Sequence, residues 1–398
     1  MKRLLVLAAG ILQVPIIKKA KDMGIYVIAA DGDANADGLQ YADKALVVNI
    51  TNEEDMLRVA REEKIDGVIH PCSEVCMNVM GRLNDELGLS GISREQAIRA
   101  TNKHLMREAF ECGNAPSPKS ILTKSTEDAW KQFMALGSDG ILKPSRNSGS
   151  RGIAKVEKGI ESKERFIEKY EVAYKESRDK SVLIEQFIEG PEFSIEIIVW
   201  NGEVNVLTVT DKKTTGTPHF VELGHSQPSC FPAADVAELK AAAVAGVKAL
   251  GVNNCACHAE AKLMGGKAYL MEIGARLGGD FISTELTHLS TGIDMVAAAI
   301  NCALGIAPCM KPTEPKHGVC IRYFCPNPGM LVNISNTKIL NDPHVYQWKI
   351  YHKVGDMIPE VTSSLCRSGH VIVTEDTPLK AIELAEKILN EVEFITVC

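Results

Sequence analysis

The chain has 398 residues, of which 45% are hydrophobic and 24% charged, and a formal net charge of −7. That length predicts two or three domains, the composition is that of a soluble globular protein, and the acidic balance excludes a dedicated nucleic-acid binder, whose binding face would be basic. No apolar run approaches the roughly 20 residues of a membrane-spanning helix, and twelve cysteines are scattered without a Cys-x-x-Cys pair or zinc-like spacing, which argues for reduced core thiols and a cytoplasmic setting.

Residues 4–8 read as a buried strand and not a signal peptide, because the apolar run is short and flows into a helix at 14–23. Strands at 26–30, 45–48 and 67–70 alternate with helices at 53–63 and 75–87, which predicts a parallel sheet covered on both faces. Gly10 and Asp31 imitate a dinucleotide fingerprint, but Ala8-Ala9-Gly10-Ile11-Leu12-Gln13 has one glycine where that motif needs three, which disfavours a nicotinamide-dependent dehydrogenase. After Gly91 the pattern predicts a helix at 94–110, a strand at 121–123, a capped helix at 125–136 and a strand at 140–143. A Ser/Gly-rich loop at 145–152 leads to a short strand and a charged helix at 161–178. Strands follow at 182–187 and 193–200, the second turning at Asn201-Gly202, a hairpin signal. An Ala-rich helix at 234–250 runs into a hairpin, then a helix at 293–304. Pro308, Pro312 and Pro315 mark a linker before a mixed tail that ends in a helix at 378–392. Lys212 and Lys213 read as solvated loop charges, with contact to a phosphate as the alternative.

The hairpin carries the most informative pair, Glu260 and Glu272, on two alternating runs broken at Gly265-Gly266-Lys267. Side chains alternate between faces along a strand, so a two-residue turn would pair Glu260 with Met271 and send the carboxylates to opposite faces. A three-residue turn would put them together, and is the expectation here. Two adjacent carboxylates repel unless a cation lies between them, and Mg²⁺ on nucleotide phosphates takes one or two carboxylates plus phosphate oxygens. Lys143 closes a strand and precedes Pro144-Ser145-Arg146-Asn147-Ser148-Gly149-Ser150-Arg151-Gly152, whose small residues can aim N–H groups at a phosphate beside the lysine charge. It is not a Walker A sequence.

Leu183-Ile184-Glu185-Gln186-Phe187-Ile188-Glu189-Gly190-Pro191-Glu192-Phe193-Ser194, the acid hairpin, Lys143, and Lys103 forty residues before it together resemble the ATP-grasp superfamily. The Gly190–Ser194 run is similar to the D-alanine ligase branch. The run Glu272-Ile273-Gly274-Ala275-Arg276-Leu277-Gly278-Gly279 is similar to carboxylate–amine ligases that join amino acids, with Gly274 where many members have an asparagine metal ligand. The resemblance implies an α/β and α+β architecture: a parallel pre-ATP-grasp domain (1–95), an ATP-grasp domain (96–310) with a mobile small lid at about 118–186, and a C-terminal α+β lid domain (311–398).

The same resemblance implies site roles. Lys103 and Lys143, with Ser148, Gly149 and Ser150, would meet ATP phosphates. Glu185 and the backbone of Gln186, Phe187 and Ile188 would read adenine, and Glu192 the ribose. Glu260 and Glu272 would hold Mg²⁺, with Mn²⁺ as a substitute. Arg276 would face the γ-phosphate and reacting carboxylate, and Gly279 would offer an oxyanion N–H. Glu74 would bind a substrate amino group, His225 would orient substrate or accept a proton, and Asp280 would border the amine or side-chain pocket and favour a cation. The implied reaction phosphorylates a small carboxylate and transfers the acyl group to an amine; a bicarbonate-dependent carboxylase and a non-catalytic nucleotide-binding regulator are the alternatives. Small-molecule partners, no nucleic acid, no membrane and a possible homodimer complete the expectation.

Overall fold

The computed structural model describes residues 1–146, 152–217, 219–313 and 316–397. Strands β1 (Arg3–Leu7), β2 (Tyr26–Asp31), β3 (Lys44–Val47) and β4 (Gly67–Ile69) form a parallel sheet in the order β3-β2-β1-β4. Helices α1 (Val14–Asp22), α2 (Glu53–Glu63) and α3 (Met77–Leu87) connect or follow them. Leu4 to Leu7 and Val27 to Ala30 are fully buried, as continuous apolar strands covered on both faces must be.

The helix expected over 94–110 is two helices, α4 (Arg94–Thr101) and α5 (Lys103–Cys112), broken at Asn102. Asn102 takes an extended conformation and its side-chain oxygen accepts from the N–H groups of His104 and Leu105. An asparagine N-cap ends one helix and starts another, and it puts Lys103 at the first helical position.

Strands β5 (Ser120–Thr123), β6 (Gly140–Pro144), β7 (Ala154–Val156) and β8 (Val182–Gln186) make an antiparallel sheet in the order β5-β8-β6-β7. Helices α6 (Thr126–Leu136) and α7 (Lys163–Glu176) cover it around Phe133, Phe166 and Tyr170.

The largest element is an eight-stranded sheet, β13-β12-β9-β10-β11-β14-β18-β16. It contains β9 (Glu192–Trp200), β10 (Glu203–Thr214), β11 (Glu222–Gln227), β12 (Cys255–Met264) and β13 (Lys267–Gly274), with α8 (Ala233–Leu250) against one face. Helices α9 (Thr287–Thr291) and α10 (Met295–Ala303) follow. The chain then returns to the same sheet with β14 (Gly318–Phe324). Three further strands, β15 (Gly329–Ser335), β17 (Met357–Ile358) and β19 (Glu393–Val397), form a small separate sheet. Strands β16 (Val345–Ile350) and β18 (Gly369–Glu375) extend the large one, and α11 (Pro378–Glu391) packs on β14 and β18. Alternation sorts β9 cleanly: Phe193, Ile195 and Ile197 enter the core with Cys257 and Ala259, which leaves Glu192, Ser194 and Glu196 on the other face. Among the described residues no helix is long and apolar enough to cross a membrane.

Candidate active site

The hairpin of Glu260 and Glu272 differs from expectation in its turn and agrees in its outcome. Met264 pairs with Lys267, so the loop is the two residues Gly265-Gly266, both with positive φ. Such a two-residue turn matches the natural twist of a strand pair. The register then shifts between Glu260 and Ala261: Ala261 faces Leu270 and Glu260 faces Glu272, leaving Met271 as an extra residue. This β-bulge re-aims the strand and brings the two carboxylates directly opposite one another. It also frees the Met271 carbonyl, which accepts from Arg107 Nη2 at 2.7 Å.

The two acids border a cleft of about 250 Å³ lined also by Glu74, Lys103, Lys143, Glu192, Lys212 and Arg276. Lys103 Nζ lies 2.9 Å from Glu272, and Lys103 N–H donates to the Ser145 carbonyl, tying the start of α5 to the end of β6. Lys212 Nζ lies 3.1 Å from Glu260. The Lys212 ammonium holds the Glu260 carboxyl well below the ordinary carboxylate range. Burial works against ionising Glu272, but Lys103 outweighs it and its carboxyl is lowered too. Lys212 corrects the sequence expectation: it is on β10, its side chain 6% exposed, and it belongs to the cleft floor. At the same level Lys212 pairs across the sheet with Glu192 and Glu192 with Lys262, so the floor carries a cation–anion–cation row. The signal available in the sequence was the alternation Thr208, Thr210, Lys212 on a strand that continues through it.

Glu185 departs from its expected role. Its fully buried carboxylate is 2.7 Å from Arg107 Nε and 2.7 Å from Lys143 Nζ. Burial alone would raise its pKa, but those two cations hold it down at about 2. A side chain so engaged has no free acceptor aimed at adenine. The N–H groups of Gln186 and Phe187 are also taken, by the carbonyls of Lys119 and Asp139. Phe187 and Ile188 line the cleft, with Lys155 and Lys262 over the Phe187 ring at 4.7 and 5.3 Å. Glu192 pairs with Lys262 at 3.0 Å. Ser148, Gly149 and Ser150 lie outside the described residues.

At the other end of the cleft, Glu74 turns to Arg276 (3.4 Å) instead of capping the helix behind it. Burial and the neighbouring Glu272 push its pKa to about 7. Arg276 Nε is buried with no hydrogen-bond partner, an unsatisfied donor on a residue that lines the cleft. His225 is buried, with Nε2 3.3 Å from Asp280 and Nδ1 unpartnered. Asp280 departs from expectation: its carboxylate already holds Arg367 through two bonds of 2.7 and 2.8 Å, so it offers no free charge to a cationic substrate. Behind Glu260 lies a chain that sequence reading missed. His258 Nδ1 contacts Glu196 at 2.6 Å, Ser283 Oγ donates to Glu196, and Gly278 N–H donates to Ser283. Burial opposes a charge on His258, yet Glu196 carries its pKa up to about 9. A Cβ at Gly278 would lie 2.6 Å from His258 Nδ1, so only glycine fits beside this chain.

As a metal donor set, Glu260 and Glu272 supply two carboxylates. No group of three or more His, Cys, Asp or Glu that could hold a metal occurs among the described residues. Two carboxylates with the rest left to phosphate and water suit Mg²⁺ and not a closed structural zinc site.

Residues 137–285 match the ATP-grasp domain family, and residues 322–397 match the L-amino acid ligase C-terminal domain 2. Carnosine synthase 1 of Mus musculus is 24% identical over 354 residues, covering 81% of this chain and 42% of the relative, so the chain spans about two-fifths of that protein's length. Dapdiamide A synthase of Enterobacter agglomerans is 25% identical over 323 residues, 77% of this chain and 74% of the relative. The crystal structure of L-amino acid ligase from Bacillus licheniformis superposes with a TM-score of 0.84 at 20% identity, covering 100% of this chain and 99% of that one. The chain thus holds a segment that matches an ATP-grasp domain, followed by one that matches a ligase C-terminal domain, on the fold of that ligase structure.

Proposed function

We propose that the chain is an ADP-forming carboxylate–amine ligase that makes an amide or peptide bond from an amino acid or other small carboxylic acid. The observation that carries this reading is the bulge-aligned pair Glu260 and Glu272 facing a cleft that also holds Lys103, Lys143, Lys212 and Arg276. The relatives with carnosine synthase and dapdiamide A synthase names, and the ligase C-terminal domain, support an amino acid substrate.

Phosphoryl transfer to a carboxylate demands charge neutralisation and alignment more than covalent help from the protein. Glu260 and Glu272 would hold Mg²⁺, which when bound neutralises phosphate oxygens. Lys103 and Lys143 converge from α5 and β6 on the phosphate end. Arg276, with its unpartnered Nε, meets the substrate carboxylate as it attacks the γ-phosphorus and ADP leaves. Glu74, beside Arg276, receives the substrate ammonium, whose charge favours the ionised carboxylate. An uncharged amine then attacks the acyl carbon, inorganic phosphate leaves and the amine proton is released, with His225, bonded to Asp280 beside the Gly278-Gly279 turn, as the imidazole that would accept it. Gly279 N–H steadies the oxyanion, a donor of a kind whose loss costs on the order of 3 kcal/mol. Closure of the segment at about 118–186 would exclude water from the acyl phosphate.

An ADP-release screen of amino acids and small carboxylates, singly and in pairs, with mass detection of the product, tests the reading. ADP formation that requires both a carboxylate and an amine, with the condensed product, is expected. ADP formation that requires only bicarbonate would instead support a carboxylase, and ATP binding without turnover a regulator.

A further inference from the structure

The turn after Gly278 is held in an unusual conformation from an unexpected direction. Asp280 and Phe281 are consecutive left-handed residues, with φ of 52° and 62°. Aspartate tolerates that region through local hydrogen bonding; phenylalanine has no such excuse and persists there only where surroundings over-determine it. A turn of π-helix, Ile282–Leu286, follows directly, a feature often found at functional sites.

Besides His225 on β11, which lies 3.3 Å from the Asp280 carboxylate, three contacts grip these two residues from the C-terminal part of the chain. Arg367 forms the paired bonds to both Asp280 oxygens. Tyr323 Oη, on β14, donates to the Asp280 carbonyl at 3.4 Å. His370, on β18, packs on the Phe281 ring with centroids 4.5 Å apart. Arg367 is itself fully fixed: Nε donates to Ser364 O, Nη1 reaches Glu222 O, and its plane lies 3.6 Å over the Tyr323 ring. Glu222 lines the cleft.

The carbonyls of the turn and the Gly278 N–H are bonded as well. Gly278 N–H donates to Ser283 and Gly278 O accepts from Cys72. Gly279 O accepts from Ile282 N–H at 2.9 Å. Gly279 N–H donates to no protein group among the described residues, and a Cβ on Gly279 would meet nothing within 4 Å. The N–H groups of Asp280 and Phe281 likewise have no protein acceptor among the described residues; of the three, Gly279 N–H is the donor that no side chain screens, which suits it to a preorganised oxyanion contact.

We propose that Arg367 is a positioning residue for the reaction: through its fork on Asp280 the C-terminal sheet fixes the turn from Gly278 to Phe281 and holds Gly279 N–H towards the reacting carbonyl. The assignment rests on the ligase reading for its chemistry and on the turn geometry for the clamp. It makes the C-terminal region a working part of the active site, and it gives Asp280 an internal partner in place of a substrate cation.

Hydrogen–deuterium exchange on the intact chain reads the clamp without any substrate. In Arg367→Met, amides within 277–286 are expected to exchange about tenfold faster or more, while those of Gly318–Phe324 and Gly369–Glu375 stay within about twofold of the parent. Arg367→Lys keeps the charge and loses the fork, and is expected to fall between. Asp280→Asn should resemble Arg367→Met, and the double variant should add little to either single change, as for two members of one unit. Unchanged exchange over 277–286 in both Arg367 variants overturns the proposal, as does protection lost evenly across the chain, which would make Arg367 a general structural residue. In turnover, Arg367→Met should lower kcat roughly 10- to 100-fold, the scale of a small misplacement, with KM for ATP little changed. A parent chain that makes no amide product would defeat the ligase reading and leave the exchange result standing.

Discussion

Glu260 and Glu272 face each other across the β12–β13 pair although the turn joining their strands has two residues, because the bulge at Met271 supplies the odd residue that the turn lacks. Each acid is matched to its own lysine, Glu260 to Lys212 and Glu272 to Lys103. Glu272→Gln is therefore expected to lower ADP release by roughly two orders of magnitude or more. It should also abolish the rise in thermal midpoint that magnesium adds in the presence of ADP. Retention of both properties would remove the pair from the mechanism.

Arg107 bridges two places with three bonds: its Nε and Nη2 bond Glu185, and Nη2 also reaches the bulge carbonyl of Met271. Arg107→Met leaves part of a fully buried carboxylate uncompensated, for which a loss of roughly 3–5 kcal/mol is expected. Urea unfolding measures it. Adding Glu185→Gln should recover part of the loss, because the stranded charge goes with it. A deeper loss in the double variant would show that Arg107 acts mainly through Met271.

Lys212 lies among three carboxylates, Glu260, Glu222 and Glu192. Burial disfavours its charge, but those acids raise its pKa above the usual lysine value, so it is cationic throughout the physiological range. If the proposed reading holds and Lys212 acts as a point charge beside nucleotide phosphates, Lys212→Met should raise KM for ATP about tenfold or more, with a smaller change in kcat. An unchanged KM would confine Lys212 to the structure of the floor.

His70 sets a pH limit. Its Nδ1 lies 2.8 Å from Leu7 O, and Cys76 N–H donates to its Nε2, so the ring is held neutral across the loop that carries Glu74. Burial lowers its pKa to about 4. Below pH 6.5 the unfolded chain binds a proton that the folded chain does not, so this contribution to stability is complete above about pH 6.5 and declines as pH falls towards 4. Thermal midpoints should fall over that window, and His70→Asn should flatten the slope. An equal slope in the variant would place the acid sensitivity elsewhere.

Local patterns carried most of the architecture. Alternating apolar strands and amphipathic helices marked the first sheet, Asn201-Gly202 sits in a two-residue turn between β9 and β10, and the two acids stood out on their alternating runs. What escaped was decided by partners far away in sequence. Nothing local to Glu185 reveals Arg107, 78 residues earlier, and nothing near Asp280 reveals Arg367, 87 residues later. Lys212 looked like loop because its strand bends polar as it leaves the core. The bulge was hidden for a different reason: an odd turn and an even turn with a bulge produce the same face assignment, so alternation alone does not choose between them. The break at Asn102 was hidden because asparagine is tolerated within a helix as well as before one.

The proline-marked segment around 308–315 looks like a place to cut the chain, yet β11 bonds β14 along Gly224–Gln227 and 318–324 belongs to the interior of the eight-stranded sheet. A fragment ending before Gly318 would expose the backbone edge of β11, with four ladder positions unpaired beside His225. Such an open edge invites pairing between copies. Fragments ended there should therefore self-associate, and the smallest manageable piece of this protein that retains the candidate cleft is expected to include β14 and the strand β18 that covers it.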